Sequence, residues 1–259
     1  MENITKGEEK EMPKIAIGIA FHSKSQPLLR AVKSALKQEV PGMETLVLVL
    51  DSSPDGSARY ALRSLALHPR IRLVRGRARC AHAARNRLIA YAETHVREAL
   101  WHVRLDADDV FTNTQALASV FCEVKRGHQF IVAGNRQVTA DGRLIGRNIP
   151  TRRLVRRDAL LKRLMAMAAG DFRAELPSCN LILRAGLGWR YPARPSAEDH
   201  WLLASILLKS PADRVCVRQV EMVDYHVSGM TTLENRHSGA YLTQRKLLLE
   251  AATCWRRRE

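Results

Sequence analysis

Residues 101–109 read WHVRLDADD, a short apolar run that ends in three carboxylates. In a β-strand alternate side chains face the same way, so Asp106 and Asp108 are expected to point together, with Asp109 in the turn beyond. Carboxylates this close repel each other unless a positive charge lies between them. A hard divalent cation, Mn²⁺ or Mg²⁺, that itself holds a phosphate suits such oxygen ligands. A polar surface turn rich in aspartate is the alternative interpretation.

The chain around this run alternates predicted strands and helices. Residues 14–20 (KIAIGIA) and 46–50 (LVLVL) are apolar runs typical of buried parallel strands. Residues 27–36 carry one apolar helical stripe, and a second helix is expected at about 81–99. This repeated β-α-β order predicts an α/β fold with a mostly parallel central sheet flanked by helices.

The second half of the sequence is less regular. A hairpin is predicted around the turn at Asp141-Gly142, and an edge strand at 215–223. Apolar spacing indicates further helices along the chain, one in the first half at 57–67 and the others at 114–125, 154–167, 198–208 and 238–256.

Composition limits the class of protein. The 259 residues are 46% hydrophobic, enough for one large domain with a real core. Residues 1–12 are polar and are expected to be a disordered lead-in, without an apolar segment of signal-peptide type. No apolar run approaches the roughly 18–20 residues that span a bilayer, so we expect a cytoplasmic protein. Five scattered cysteines fit reduced thiols, with no zinc or disulfide framework.

The formal charge of +16 is unevenly distributed. Residues 70–87 hold seven arginines and no acid, and residues 143–163 hold eight basic residues against one aspartate. Such segments bind phosphorylated ligands, nucleic acid or an anionic membrane face, or they are simply solvated. Because nucleic-acid-binding signatures are absent, no nucleic-acid partner is expected. Residues 143–163 and the terminal Trp255–Arg258 could instead bind the acceptor or give a peripheral contact with the anionic inner face of a membrane.

Polar groups follow four of the predicted strands. His22, Asp51, the arginine-rich 76–87 segment and the 106–109 acids each stand where a strand ends. Ligands of open parallel sheets bind outside the carboxyl ends of the strands. The convergence of four segments at one sheet edge therefore indicates a ligand site there.

In the order and spacing of several motifs, the chain resembles a family 2 glycosyltransferase with the fold called GT-A. The resemblance covers about residues 13–230. It rests on KIAIGIAFHSKSQPLLRAVKSALKQ, ETLVLVLDSSPDGS, the AARN of residues 83–86, LDADD and SAEDHW. It implies transfer of a sugar from a nucleotide diphosphate donor, commonly a UDP-sugar, to an acceptor hydroxyl, usually with Mn²⁺ or Mg²⁺ and with inversion. Residues 13–112 would form the nucleotide-binding half, residues 113–230 the acceptor-binding half, and residues 231–259 a basic C-terminal helix.

The resemblance also implies roles for individual residues on the donor side. Ala20 and His22 would wall the nucleobase pocket, and Asp51 would bond the base. Arg85 would lie near the base or the pyrophosphate.

The resemblance assigns the acidic run and a late histidine to the ribose and the metal. Asp106 and Asp108 would contact the ribose and the metal, and Asp109 would be the direct metal ligand. His226 would lie at the metal or the pyrophosphate.

Asp199, in the Glu198-Asp199 pair, matches the general base of the family. An acceptor hydroxyl needs its proton removed as the new bond forms, and a carboxylate in the first turn of a helix stays ionised. Ordinary capping by acids is the alternative for this pair. Glu198 could contact the acceptor, and Trp189 and Trp201 could stack on an acceptor sugar or belong to the core.

Two departures from the family pattern concern the nucleobase end. Leu50 replaces the first residue of an aspartate pair, and His22-Ser23 replaces a Tyr-Asn pair. A sugar nucleotidyltransferase of similar topology is one alternative, but it would need a Gly-rich basic loop where this chain has FHSKSQP. A basic nucleic-acid-binding module is the other alternative.

Overall fold

The computed structural model describes residues 12–22, 25–53, 60, 62–65, 67–227 and 239–255. Nearly all of the predicted lead-in lies outside these ranges, as does half of the helix predicted at 57–67, of which Arg63–Leu65 form a 3₁₀ turn. Residues 256–259, which hold the terminal arginines, also lie outside them.

The first half of the described chain is a parallel β-α-β layer. Its four strands pair in parallel in the order β3-β2-β1-β4, and they are β1 (Lys14–Phe21), β2 (Glu44–Asp51), β3 (Ile71–Val74) and β4 (Ala99–Arg104). Helix α1 (Ser25–Leu36) packs on one face of this layer and helix α2 (Ala81–His95) on the other. Both faces are covered, which explains why the two central strands β1 and β2 are apolar through residues 15–21 and 46–50.

The second half extends the same sheet with shorter and more irregular elements. Its strands are β5 (Val110–Phe111), β6 (Phe130–Val138), β7 (Leu144–Asn148), β8 (Leu181–Arg184) and β9 (Val215–His226). Its helices are α3 (Ala116–Phe121), α4 (Arg157–Ala168), α5 (Glu198–Lys209) and α6 (Gly239–Cys254). Across the described residues the sheet runs β3-β2-β1-β4-β8-β6-β9-β5, with β7 paired to β6.

The prediction of a mostly parallel sheet holds for β1 to β4. Beyond β4, β8 is antiparallel to both β4 and β6, whereas β6 and β9 run in parallel. Strand β9 was predicted to be an edge strand, and that was wrong. It lies between β6 and β5, which pairs with it at Val223 and Asp224, and the side chains of Val215, Val217 and Val223 are buried in the two cores on the sheet faces.

The predicted hairpin forms between β6 and β7, and Gly142 takes the left-handed conformation (φ 83°) that its turn requires. Apart from the helix predicted at 57–67, of which only part lies within the described residues, the predicted helices exist, and those predicted at 81–99, 114–125 and 238–256 are shorter than expected. Helix α2 ends at His95 because β4 already begins at Ala99, and α3 spans six residues.

The C-terminal helix α6 belongs to the main fold. Leu248 and Ala252 are fully buried in the core that α4 and α5 share. Arg157 of α4 donates hydrogen bonds to the carbonyl oxygens of Ala252 (3.2 Å) and Thr253 (3.0 Å), which lie in the last turn of α6. These carbonyls have no partner within their helix, so the arginine satisfies them. No helix in the described part of the chain is long and apolar enough to cross a membrane.

We predict that Leu248→Ala lowers the stability of the whole domain. Leu248 is fully buried, and a leucine-to-alanine truncation in a core costs about 2–5 kcal/mol. Thermal or denaturant unfolding followed by circular dichroism measures the loss. Leu247→Ala, at an adjacent position that is 39% exposed, is the control and should change stability by no more than about 0.5 kcal/mol. Equal stability of the two variants would show that α6 is not part of the cooperative core.

Candidate functional site

The carboxyl ends of β1, β2 and β4 lie side by side, because these strands are neighbours in the sheet. Ala20 and His22 stand at the end of β1, and Asp51 at the end of β2, where it is in register with Phe21. Asp106 follows β4 by two residues. The structure therefore brings these predicted residues to one sheet edge.

A hydrogen-bonded corner forms where β1 and β2 end. The Nδ1 atom of His22 lies 3.0 Å from the carbonyl oxygen of Ser52 and donates to it. The Asp51 carboxylate accepts from the backbone N–H of Ser53 at 2.9 Å and from the hydroxyl of the same residue. The Ser52 hydroxyl accepts from the N–H of Ala78 at 3.1 Å, which ties the segment after β3 to this corner.

The acidic run leaves the strand earlier than predicted. Strand β4 ends at Arg104, and residues 106–109 form a turn closed by a hydrogen bond from the Asp109 N–H to the Asp106 carbonyl, at 3.1 Å. Asp106 and Asp108 are therefore not alternate residues of one strand. Instead, Arg104 at the end of the strand and Asp106 two residues later point the same way, and their side chains contact each other.

Two arginines and three carboxylates form a continuous set of ion pairs, which we call the arginine–carboxylate chain: Glu198, Arg85, Asp106, Arg104 and Asp199. Arg104 donates from Nε to Asp106 Oδ1 at 2.8 Å and from Nη1 to Asp199 Oδ2 at 3.0 Å. Arg85 donates to Asp106 Oδ1 at 3.4 Å and also pairs with Glu198. The chain links the end of β4, helix α2 and the first turn of α5.

This pairing keeps the central carboxylates ionised. Burial would raise the pKa of Asp106, but the guanidinium groups of Arg104 and Arg85 outweigh it and lower the pKa to about 2. Burial likewise opposes ionisation of Asp199, but its neighbour His200 and the guanidinium groups of Arg104 and Arg85 hold its pKa well below its usual range. Both groups therefore stabilise the fold at neutral pH, and that contribution is lost as pH falls below the ordinary aspartate range.

The backbone before α5 aims its two acids at the arginines. Ala197 has φ 57°. Among the described residues it is the one non-glycine residue whose backbone lies in the left-handed region. This turn precedes the first helical residues, Glu198 and Asp199. Asp199 Oδ1 accepts from the N–H of His200 at 2.8 Å, so the helix N-terminus supports its negative charge. Strained backbone of this kind persists where the surrounding contacts hold it in place.

Asp109 and His226 form a second, buried acidic corner. Asp109 is 2% exposed, and its Oδ1 accepts the backbone N–H of His226 at 2.9 Å. Burial, and then the charges of Asp106 and Asp108, raise the pKa of Asp109 well above its usual range. Burial, and then the charge of Arg30, lower the pKa of His226. A bound cation would offset the negative charges and stabilise the ionised carboxylate.

The corner offers a divalent cation some, but not all, of the ligands that it needs. The Nδ1 atom of His226 is buried without a hydrogen-bond partner in the described structure, and it lies 4.0 Å from Asp109 Oδ1. No group of three or more His, Cys, Asp or Glu residues that could hold a metal occurs within the described ranges. A cation here would thus take only part of its ligands from the protein and the others from phosphate and water, which is a common arrangement for Mg²⁺.

The two tryptophans predicted to stack on an acceptor lie in the core of the second half. Trp189 packs edge-on against buried Phe130, with ring centroids 5.6 Å apart. Trp201 is 6% exposed, and Arg194 covers its ring at 3.9 Å. Neither lines the cavity beside Asp199.

Sequence reasoning missed two parts of the site. Arg104 could have been found from its alternation with Asp106, because residues two apart in a strand share a face. A hydrogen-bonded network that starts next to Asp199 had no local signal. In it His200 bonds Ser178 Oγ at 2.9 Å and Tyr241 Oη at 3.2 Å, and Tyr241 donates to Glu175 at 3.2 Å.

Beside Asp199 lies a polar cavity of about 350 Å³. It is enclosed by the arginine–carboxylate chain, by the network of His200 and Tyr241, and by side chains of β6 and β7. Since the predicted base stands at its wall, the cavity can hold a second reactant next to the strand-end corner.

Several solved structures share this fold at low sequence identity. The S. aureus TarS structure with UDP-GlcNAc aligns over 93% of this chain and 71% of its own length, with a TM-score of 0.58 and 15% identity. The mannosyltransferase PcManGT from Pyrobaculum calidifontis, in complex with GDP-Man and Mn²⁺, aligns over 94% and 65%, with a TM-score of 0.52 and 20% identity.

Glucosyl-3-phosphoglycerate synthase from Mycobacterium tuberculosis, solved with Mn²⁺, UDP and phosphoglyceric acid, has a TM-score of 0.55 and 17% identity over 94% of this chain and 79% of its own. At these identities the similarity establishes the fold, and it confirms the expected GT-A architecture. Among curated proteins, none matches the sequence significantly.

The sequence itself matches the family model described as glycosyl transferase family 2 over residues 16–180, more than half of the chain. The matched range contains β1 to β4, the acidic turn and both arginines of the arginine–carboxylate chain. The alternatives of a sugar nucleotidyltransferase and of a nucleic-acid-binding module are therefore set aside. The chain belongs to glycosyl transferase family 2 and is a glycosyltransferase of the GT-A fold.

Proposed function

We propose that this enzyme is a metal-dependent, inverting glycosyltransferase that moves a sugar from a nucleoside diphosphate donor to an acceptor hydroxyl. One observation carries the proposal. The arginine–carboxylate chain joins Asp106, beside the strand-end corner, to Asp199, at the wall of the polar cavity. An inverting transfer needs the donor and the base on opposite sides of the reacting carbon, and the proposal puts the donor on the Asp106 side of this chain and the base at Asp199.

On the donor side, Ala20, His22 and Asp51 are proposed to hold the nucleobase, with Asp106 and Asp108 at the ribose and Arg85 near the pyrophosphate. The side chains that follow β3 include Arg75, Arg77 and Arg79, which are exposed and can pair with phosphate oxygens. A UDP-sugar is the proposed donor. Solved relatives contain UDP-GlcNAc, UDP and GDP-Man, which supports a nucleotide-sugar donor without choosing the base.

We assign Asp109 and His226, with Asp108, as the residues that would hold Mn²⁺ or Mg²⁺. When bound, such a cation supplies charge stabilisation to the leaving diphosphate. The chain's own contribution is to orient Asp109 through the backbone N–H of His226 and to keep this corner away from bulk water. The unpartnered Nδ1 atom of His226 supports the assignment.

Asp199 is proposed as the general base that accepts the proton of the acceptor hydroxyl. Its pairing with Arg104 keeps it ionised, and its position in the first turn of α5 directs it at the cavity. A base on the acceptor side that activates a single direct attack leads to inversion at the anomeric carbon. Glu198 lines the same cavity and is proposed to contact the acceptor, which supports an acceptor-binding role for residues 113–230.

A peripheral contact with an anionic membrane is a further part of the proposal, as is a cytoplasmic location. We define the hairpin surface as residues 143–153. In it Leu144 and Ile145 are 43% and 51% exposed, next to Arg143 and Arg153, which make no ion pair with a described residue. Exposed apolar side chains among arginines are typical of surfaces that enter a lipid headgroup layer.

We predict that Mn²⁺ strengthens the binding of UDP and that Asp109→Asn removes this effect. The amide keeps the shape of the carboxylate but cannot bind the cation through an anionic oxygen. Thermal shift with UDP, with and without Mn²⁺, measures the change in UDP binding, since a ligand at 100 times its Kd adds about 2.7 kcal/mol to the free energy of unfolding. Asp213→Asn, at an exposed position, is the control and should keep the Mn²⁺ effect. A full Mn²⁺ effect in Asp109→Asn would remove this residue from the metal site.

We predict that Asp199→Asn lowers turnover by about 10²–10⁴-fold, the usual contribution of a positioned general base. Donor binding should change little, because Asp199 is proposed to touch the acceptor rather than the nucleotide. The measurement is release of nucleoside diphosphate from a panel of UDP- and GDP-sugars, with calorimetry for donor affinity. The melting temperature checks that the loss of the Arg104 pair leaves the protein folded. Turnover close to that of the unmodified enzyme would exclude Asp199 as the base.

We predict that the protein binds vesicles that contain phosphatidylglycerol more tightly than vesicles of phosphatidylcholine alone. Each arginine near an anionic surface contributes about 1 kcal/mol, so Arg143→Glu/Arg153→Glu should weaken sedimentation with the anionic vesicles by about tenfold or more. The control is Arg97→Glu/Arg126→Glu, which carries the same charge change at exposed positions outside the hairpin surface. Equal effects of the two double variants would mean that net charge alone drives binding.

A further inference from the structure

The polar cavity beside Asp199 has a charge opposite to that of the protein as a whole. The chain carries a formal charge of +16, yet four carboxylates line the cavity against two guanidinium groups. The carboxylates belong to Asp106, Glu175, Glu198 and Asp199. A ligand in this cavity therefore meets a local field that the overall composition does not predict.

The cations of the cavity are already committed. Arg104 is bound on three nitrogens by Asp106 and Asp199, and Arg85 is bound on two by Asp106 and Glu198. Both ring nitrogens of His200 are engaged, by Ser178 and Tyr241. Among the described residues, each Nη nitrogen of these two arginines is therefore already paired with a carboxylate.

On the far side of the cavity, Glu175 is likewise paired with an arginine. Its carboxylate pairs with Arg245 of α6, which is 1% exposed and lies over the rings of Phe172 and Tyr241. This guanidinium is thus held behind the wall. Burial raises the pKa of the nearby Cys179 thiol, which stays uncharged.

What the cavity offers instead is hydrogen-bond acceptors. Asn135 of β6 is 3% exposed, and its Oδ1 is buried without a partner in the described structure. The Ser196 hydroxyl at the cavity wall is also buried and unpartnered there. Unsatisfied buried oxygens next to carboxylates favour a ligand that brings many O–H donors and no negative charge.

We propose that the acceptor is an uncharged, hydroxyl-rich carbohydrate, and that the cavity rejects acceptors that carry phosphate or carboxylate next to the reacting hydroxyl. This inference rests on the proposed function, since it takes the part of the cavity around Asp199, Glu198 and Glu175 as the acceptor site and leaves Asp106 and Arg85 at its border with the donor. The basic surfaces of the protein would then serve other contacts than acceptor binding. Rejection would follow from repulsion between a negative group on the acceptor and carboxylates whose arginine partners are already engaged, and such repulsion is a source of specificity.

The test is saturation-transfer NMR on the full chain, with and without UDP and Mn²⁺. The probes are methyl glycosides of glucose, galactose, mannose and N-acetylglucosamine, together with their 6-phosphates and methyl glucuronide. We expect signals from at least one neutral glycoside and at least tenfold weaker binding of the charged counterparts. Asn135→Leu and Gln137→Leu, both at the cavity wall, should each weaken the neutral glycoside about three- to tenfold, as for one lost hydrogen bond. Gln115→Leu, on an exposed turn, is the matched control and should bind normally.

Tighter binding of a phosphorylated or carboxylated probe would overturn the proposal, as would the absence of any neutral signal while UDP and Mn²⁺ are bound. Calorimetry with UDP and Mn²⁺ separates this from failure of the proposed function. If the nucleotide does not bind, the donor assignment fails, and the glycoside series on the nucleotide-free protein still decides the charge preference.

Discussion

The arginine–carboxylate chain is the interaction on which the site depends, because it holds together three elements that are far apart in sequence. Arg104 comes from the end of a strand, Arg85 from a helix, and Glu198 and Asp199 from the first turn of another helix in the second half. Buried charges of this kind are tolerable only in matched pairs, and removing one partner would leave another exposed to a low-dielectric environment. The pairing therefore fixes the position of the proposed base relative to the strand ends where the nucleotide is expected.

The fold supplies rigid support for this arrangement from both sides. Apolar strands with helices on each face form the first half, so the strand ends cannot shift independently of the core. In the second half, α6 packs against α4 and α5 and places Tyr241 at the cavity wall and Arg245 behind it. The segment that the sequence analysis described as a basic C-terminal helix is thus part of the structure around the proposed acceptor site.

Charge in this protein has to be considered locally. The excess of arginine is real, but several arginines act within the fold: Arg157 satisfies helix carbonyls, Arg163 donates to the carbonyl of Ala174, and Arg245 pairs with Glu175. Others are exposed on the hairpin surface and after β3. An average over the sequence cannot separate these groups, because burial and pairing decide whether an arginine attracts an anion or merely neutralises a neighbouring carboxylate.

The sequence by itself determined the order of strands and helices in the first half, the sheet edge where polar residues meet, and the acidic residues of the site, because hydrophobic periodicity and strand-end position are local properties. It also indicated the hairpin at Asp141-Gly142 and the start of α5. Tertiary structure alone decided that β9 is an interior strand and that Arg104 links Asp106 to Asp199. These features depend on contacts between residues about a hundred positions apart, which leave no pattern in any short window of sequence. The charge of the cavity was likewise decided by the tertiary structure, since it arises only when the two halves of the chain pack together.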